Sequence, residues 1–313
     1  MRFLFVLTVL LASHASAAPH QFLVFGDMPY SAVDEALMRA PDGQLYQAVR
    51  QTPHLFVAHV GDIKAGGVPC TDEVLQHNFN LISAISTQPL VYTPGDNEWT
   101  DCDRDNLHPK FDELERLAYV RDNFTKHAVT LPQFVRQSEQ TENQAWRIDD
   151  VQYITLHVVG TNNARAQVYM SQPDTALEQV QLRDAKNLQW LAQHTKKKAK
   201  ATVIFMQADL YQKANYGLPC TSTTQRNCDG LSLYKNALDK LASTHDTPVL
   251  LVHGDTAEFC FSQRSSGLWH MNSPGDYRVS DIAKVVIDTK ASKVFSVATL
   301  LSKGLIRACP SDS

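Results

Sequence analysis

The sequence predicts an α/β fold built on parallel strands, and three observations carry that expectation. Short apolar runs stop at Gly26-Asp27, Gly61-Asp62 and Gly95-Asp96. Segments with apolar residues at helical spacing separate these runs. The three aspartates recur about every 35 residues, the length of one strand-helix-strand crossover. Parallel strands joined in this way end at one edge of a sheet, so all three loops fall on a shared edge.

Residues 1–17 come first. Met1-Arg2 precedes an apolar stretch over 3–12, and Ser13-His14-Ala15-Ser16-Ala17 supplies the small residues of a signal-peptidase site. This pattern predicts a cleaved secretory signal peptide. Its apolar core is roughly ten residues, short of the ~20 needed to span a bilayer, and no later segment comes closer. A secreted or periplasmic protein without a membrane span is expected. Residues 18–313 read as one continuous domain, because no Pro-, Gly- and Ser-rich linker is long enough to divide them.

Apolar runs over 21–25, 55–60 and 90–93 are the first three strands. Helices are expected over 34–50 and 72–86, started by Asp34 and Thr71 as caps. A charged helix over 109–124 follows, then a strand pair over 144–148 and 151–159 turning at Asp149-Asp150. The crossover pattern then resumes: helix 177–195, strand 201–206, helix 231–244 and a strand over 249–252 that stops at His253-Gly254-Asp255. Runs over 279–287 and 294–301 close the sheet, and irregular excursions are expected around 216–230 and 263–277.

Six cysteines in an exported chain predict disulfides, and no CxxC pair points to zinc. Spacing does not choose among the fifteen possible connectivities. The pairing set down for test is Cys70 with Cys102, Cys220 with Cys228 and Cys260 with Cys309. Without residues 1–17 the chain carries 28 basic and 33 acidic residues, and its one basic run, Lys196-Lys197-Lys198, sits at a helix end where cations are favoured. No nucleic-acid partner is expected.

Ligands of open α/β sheets bind outside the carboxyl ends of the strands. One Gly-Asp loop is ordinary turn chemistry. Four such loops at equivalent strand ends bring carboxylates together that would repel one another unless protons or a cation offset them. A metal is the economical reading.

At these residues a family resemblance enters. Phe25-Gly26-Asp27, Val60-Gly61-Asp62, Pro94-Gly95-Asp96-Asn97-Glu98 and Val252-His253-Gly254-Asp255-Thr256 resemble, in order, the metal-binding loops of the calcineurin-like metallophosphoesterases. The resemblance implies a four-layer α/β/β/α sandwich with mixed sheets, in which two metals activate a water for attack on phosphorus. It implies metal ligands Asp27, Asp62, Asp96, Gln207 and Asp255, with Asp62 bridging, and places Asn97 at the family's catalytic histidine with Glu98 as the remaining acid. It departs from the family at Asp27-Met28-Pro29, at Gln207 and at Gly254-Asp255-Thr256-Ala257, where histidine ligands are replaced. An all-oxygen set favours one Mg²⁺, Mn²⁺ or Ca²⁺ over Zn²⁺ or iron and leaves a second metal in doubt. Tyr30, Lys64 and His253 flank the loops and are expected to meet a small phosphorylated substrate. The alternative is a scaffold that binds a ligand or a single cation without turnover.

Overall fold

The computed structural model describes residues 19–212, 216–255 and 258–310. The expected signal peptide lies outside the described residues. Twelve strands are described in two mixed sheets.

β1 (His20–Phe25), β2 (Val57–His59) and β3 (Leu90–Tyr92) pair in parallel, as their crossover spacing requires. The second sheet holds β4 (Val135–Arg136), β5 (Gln144–Ile148), β6 (Val151–Thr155), β7 (Ala201–Phe205), β8 (Val249–His253), β9 (Cys260–Gln263) and β10 (Trp269–Asn272). β11 (Ala283–Ile287) and β12 (Phe295–Thr299) return to the first sheet, whose order is β12-β11-β1-β2-β3. The second sheet runs β4-β5-β6-β7-β8-β10-β9, with β6, β7, β8 and β10 mutually parallel.

Alternation along the strands builds the layers. Phe22 and Val24 face the second sheet, joining Trp146, Tyr153, Val203, Phe205 and Leu250 in a core between the sheets. Leu23 and Phe25 face outward onto Met38, Leu45, Leu75 and Phe79 of the helices that cover the first sheet. Ile154, Ile204 and Leu251 face outward onto Trp190, Tyr234 and Leu238 of the helices that cover the second. The result is the α/β/β/α sandwich. Aromatic pairs span the two sheets, Phe22 with Phe205 at 5.5 Å and Phe56 with Trp146 at 5.1 Å between centroids, each worth about 0.5–1.5 kcal/mol beyond burial.

Several boundaries differ from expectation for identifiable reasons. The helix predicted over 34–50 is two, Ala32–Met38 and Gln44–Gln51, because Pro41 removes a donor and disfavours helical geometry at Ala40. Its cap is Ser31 rather than Asp34; Asp34 stands three residues inside and accepts from the Ser31 N–H, a capping box. The charged helix begins at Glu113, where the Asp112 carboxylate caps two N–H groups. The segment read as an irregular excursion at 263–277 contains β10, which extends the parallel run beyond β8. The helices Asp72–Ala84, Pro173–Thr195 and Ser232–Thr244 lie close to where periodicity puts them.

The disulfides are Cys70–Cys102, Cys220–Cys228 and Cys260–Cys309, the pairing set down above. No helix among the described residues is long and apolar enough to cross a membrane.

Candidate metal centre

Parallel pairing brings the carboxyl ends of β1, β2, β3, β7 and β8 to one edge, where both sheets meet. Asp27, Asp62, Asp96, Asp255 and Gln207 follow these strands and all five are buried. The loops bond across the two sheets. The Asp255 N–H donates to Asp27 Oδ2 at 3.2 Å. The Gln207 amide donates to Asp62 Oδ2 at 3.2 Å and Asp96 Oδ1 at 3.1 Å.

Backbone geometry aims these side chains. Asp27, Asp62 and Asp255 hold φ of 52°, 60° and 72°, in the left-handed region that aspartate tolerates better than most residues. Gly61 holds φ +95°, and a Cβ there would stand 2.5 Å from Gly95 N and 2.9 Å from Gln207 Cγ. Gly61→Ala is therefore expected to cost at least about 2 kcal/mol in chemical denaturation, from backbone strain and overpacking together. An unchanged denaturation midpoint would contradict the close approach of these loops.

Asp62 is the most heavily bonded of the group. Its Oδ1 accepts from Asn97 N, and its Oδ2 accepts from Tyr30 Oη, Asn97 Nδ2 and Gln207 Nε2. Asp96 Oδ2 accepts from the Thr161 hydroxyl at 2.8 Å, and Thr161 also reaches Asp101 at 2.7 Å. Gln207 differs from the ligand the sequence suggested. Its Oε1 accepts the Gly160 N–H at 2.5 Å, and since that donor can only face an oxygen, the NH₂ group is the one turned to the carboxylates. No histidine is a hydrogen-bond partner of Asp27, Asp62 or Asp96 among the described residues.

Burial, then the charges of Asp255, Asp276 and Asp96, holds the Asp27 carboxyl well above the usual range; burial, then Asp96 and Asp27, does the same to Asp62. Burial pushes Glu98 to about 7, and burial followed by Asp96 pushes Asp101 to about 7. The four carboxylates, gathered in one crevice with oxygen as the only ligand atom they offer, match the chemistry of a hard divalent cation.

These shifts set a pH dependence. A carboxyl raised on folding contributes stability that is complete below its unfolded pKa near 4 and is lost as pH rises through its folded value. The pair Glu142–His157 acts oppositely. Burial opposes the Glu142 charge, yet His157 and Arg121 hold its pKa at about 2; burial lowers His157 to about 4. Their contribution is present above the unfolded values and lost as pH falls. The four raised carboxyls outweigh that one imidazole, so cation-free protein is expected to lose stability as pH rises from about 5 to 8. Tm measured in chelator against pH checks this, and a Tm that climbs steadily from pH 5 to 8 would refute the crowding of carboxylates.

The other expected residues sort as follows. Tyr30 stands at the mouth, half-buried, donating to Asp62 at 3.1 Å and to Asp27 at 3.4 Å while accepting from Asn97. Asn97 lies beside Asp62, donating to it through its backbone N–H and its Nδ2. Glu98 is fully buried, and its carboxylate accepts from Ile63 N, Gly95 N and Tyr92 Oη, bracing the second loop against the third. Lys64, expected to meet substrate, is instead buried, and burial lowers it to about 8 against the pull of Glu98 and Asp62. His253 points away from the crevice: on β8, Leu250 and Val252 face the other sheet, so His253 faces outward and stacks on His270 at 4.8 Å. Arg104, Arg116 and Arg121 are paired with Asp101, Asp72 and Glu142.

Sequence reasoning missed the turn that follows β6. Thr161, Asn162, Asn163 and Ala164 all hold left-handed φ between 51° and 60°, and this turn delivers Thr161 to Asp96. Its signal was available, since a strand parallel to β7 must end at the same edge. Beside it opens a cleft of about 700 Å³ lined by Asn162, Arg165, Tyr169, Tyr216 and Arg226. Burial, then the charges of Asp255 and Asp96, raises the Tyr216 hydroxyl, which ties the cleft to the crevice.

Neither a family model nor a curated protein matches the sequence. Solved structures do. A 5'-nucleotidase from Candida albicans is similar at 10% identity over 89% of this chain, with a TM-score of 0.50, and the chain spans 51% of that protein. A dimetal phosphatase from Danio rerio is similar at 12% identity over 90% of this chain and 99% of its own, TM-score 0.48. GAP50, the anchor in the inner membrane complex of Plasmodium, is similar at 11% identity over 95% of this chain and 92% of its own, TM-score 0.46. Likeness at such identity is one of fold, and the nucleotidase superposition carries it.

Proposed function

We propose that this chain, whose fold is that of the calcineurin-like metallophosphoesterases, is an exported hydrolase of a small phosphate mono- or diester, dependent on one divalent cation. The observation that carries the reading is the convergence of Asp27, Asp62, Asp96 and Asp255 in a buried crevice at the meeting edge of both sheets. Mg²⁺, Mn²⁺ or Ca²⁺ suits these oxygens better than Zn²⁺ or iron. Gln207 is left out of the ligand set, because its oxygen is committed to Gly160.

A bound cation would polarise a phosphoryl oxygen and lower the pKa of a water. The remaining work falls to the chain's own groups. The Asn97 amide and Tyr30 hydroxyl stand at the mouth to donate to phosphate oxygens. Burial and the charges of Asp62 and Asp27 keep the Tyr30 hydroxyl protonated, so it serves as a donor to the leaving group rather than as a nucleophile. Arg165, Arg226 and Tyr216 line the cleft that would take the rest of the substrate. Without an imidazole acid, turnover is expected to lose part of the 10²–10⁴-fold that general acid help supplies. Export is supported by the pattern of residues 1–17 and by three disulfides, which suit an oxidising compartment.

A second reading is favoured by one observation: neutral amide and hydroxyl donors already surround the Asp62 carboxylate. On that reading the chain binds one cation or a phosphorylated ligand without turnover. Titration of chelator-stripped protein with Mn²⁺, Mg²⁺ and Ca²⁺, followed by Tm and by phosphate release from aryl phosphate mono- and diesters, separates them. One ion per chain with release supports the hydrolase; binding without release selects the second reading; no binding at millimolar cation defeats the hydrolase and the cation-binding form of the second reading.

A further inference from the structure

We infer that the chain carries a second, chemically distinct cation site made by Asp209, His253 and His270, on the helix-facing side of the second sheet. All three side chains are buried. His253 Nε2 and His270 Nε2 are 2.6 Å apart and Asp209 Oδ1 is 3.8 Å from His253 Nε2. One ligand atom from each residue lies within 4.8 Å of the other two.

Topology explains the convergence. Asp209 follows β7 two residues after Gln207, and His253 closes β8 two residues before Asp255. Alternation turns His253 to the opposite face from the four-aspartate crevice, and the β10 strand, parallel to β8, brings His270 up from the same side. Two loops thus serve two centres, one on each face.

Hydrogen bonding fixes which atoms are offered. His253 Nδ1 lies 2.8 Å from the Gly254 carbonyl, so it carries the proton, and the neutral ring presents its Nε2 lone pair to His270 and Asp209. A ring nitrogen held by a backbone carbonyl while the other faces outward is the arrangement of a metal-ligating histidine. His270 Nδ1 is buried with no hydrogen-bond partner among the described residues, so the proton of that ring sits on Nε2 and donates to His253 Nε2 in the metal-free protein. A cation bound here takes both Nε2 lone pairs and the Asp209 oxygen and displaces the single proton that the two rings share. Opening the nitrogen pair from 2.6 Å to about 3.3 Å would place both at the roughly 2.0–2.1 Å of tetrahedral zinc-imidazole bonds. Two imidazoles and one carboxylate suit Zn²⁺ or Co²⁺, with a fourth position left for water. The guanidinium of Arg264, stacked 3.4 Å over the Tyr211 ring that touches His270, carries a charge that reaches both imidazoles and weakens the site relative to one without it.

The test is Co²⁺ and Zn²⁺ titration of chelator-stripped full chain in the presence of excess Mg²⁺ to saturate oxygen-only sites. The visible spectrum of Co²⁺ reports tetrahedral nitrogen and oxygen ligation. One equivalent with that spectrum, displaced by Zn²⁺, is expected in the parent and in Asp62→Asn, and at least a tenfold weaker association in His270→Gln and in Asp209→Asn. Circular dichroism identifies any variant that fails to fold, and the parent spectrum stands by itself in that case. A parent that shows no tetrahedral Co²⁺ spectrum, or a signal lost in Asp62→Asn and retained in His270→Gln, would overturn the site.

Discussion

Asp62→Asn is expected to lower divalent-cation affinity and any cation-dependent phosphate release by at least about 100-fold, while the protein remains folded. Asparagine is the informative replacement because position 62 sits at φ 60°, which alanine adopts only with strain. Asp62 is bonded from both sides of the crevice, by Asn97 of the third loop and by Gln207 of the second sheet. Loss of its charge removes a carboxylate that both halves bond. It also removes a buried carboxyl that its neighbours' charges oppose, so the Tm measured in chelator at pH 7–8 should not fall. Calorimetric titration with Mn²⁺ beside a phosphate-release assay decides the matter. Affinity and release that survive the substitution would mean that the crevice does not hold the cation.

The second large effect concerns the bridge Cys70–Cys102. It links residues 32 apart, and the closed loop accounts for about 3–4 kcal/mol of stability through the unfolded chain. Its ends lie on the segments after Asp62 and after Asp96, and both cysteines are fully buried. Cys70→Ser with Cys102→Ser should therefore lower both the denaturation free energy and the cation affinity. Cys260→Ser with Cys309→Ser opens a longer separation of 49 and should cost about 4 kcal/mol, yet leave the four-aspartate crevice unaffected, since it ties the chain end to β9. Equal loss of cation affinity in both pairs would point to general loosening rather than to the second and third loops.

The first half of the fold was legible because its signals are local: an apolar run, a Gly-Asp stop and a helical period repeat three times. What escaped was non-local. Pro41 and Gly43 contain enough to break the helix over 34–50, but Ser31 wins the cap from Asp34 only once the two residues face each other. β10 hides in a segment rich in turn residues, since its partner β8 lies some twenty positions away. The four aspartates of the crevice could be gathered from sequence because strand ends predict their loops. The orientation of Gln207 could not, as it depends on the Gly160 N–H, a group that no side-chain pattern reveals. His253 was adjacent to the right loop and on the wrong face, a distinction of one residue that becomes visible only when the strand's last position is known.

The left-handed turns at Asp27, Asp62 and Asp255 bear on how such a crevice can change its chemistry. Besides glycine, the residues that adopt this backbone most readily are asparagine, aspartate and histidine, and two of these, aspartate and histidine, are common cation ligands. The main chain therefore filters substitutions before any metal does, admitting ligand-bearing side chains and penalising branched and bulky apolar ones. An exchange of aspartate for histidine at position 255 passes that filter without rebuilding the turn, so an oxygen-rich crevice and an imidazole-bearing one are neighbours in sequence on the same backbone.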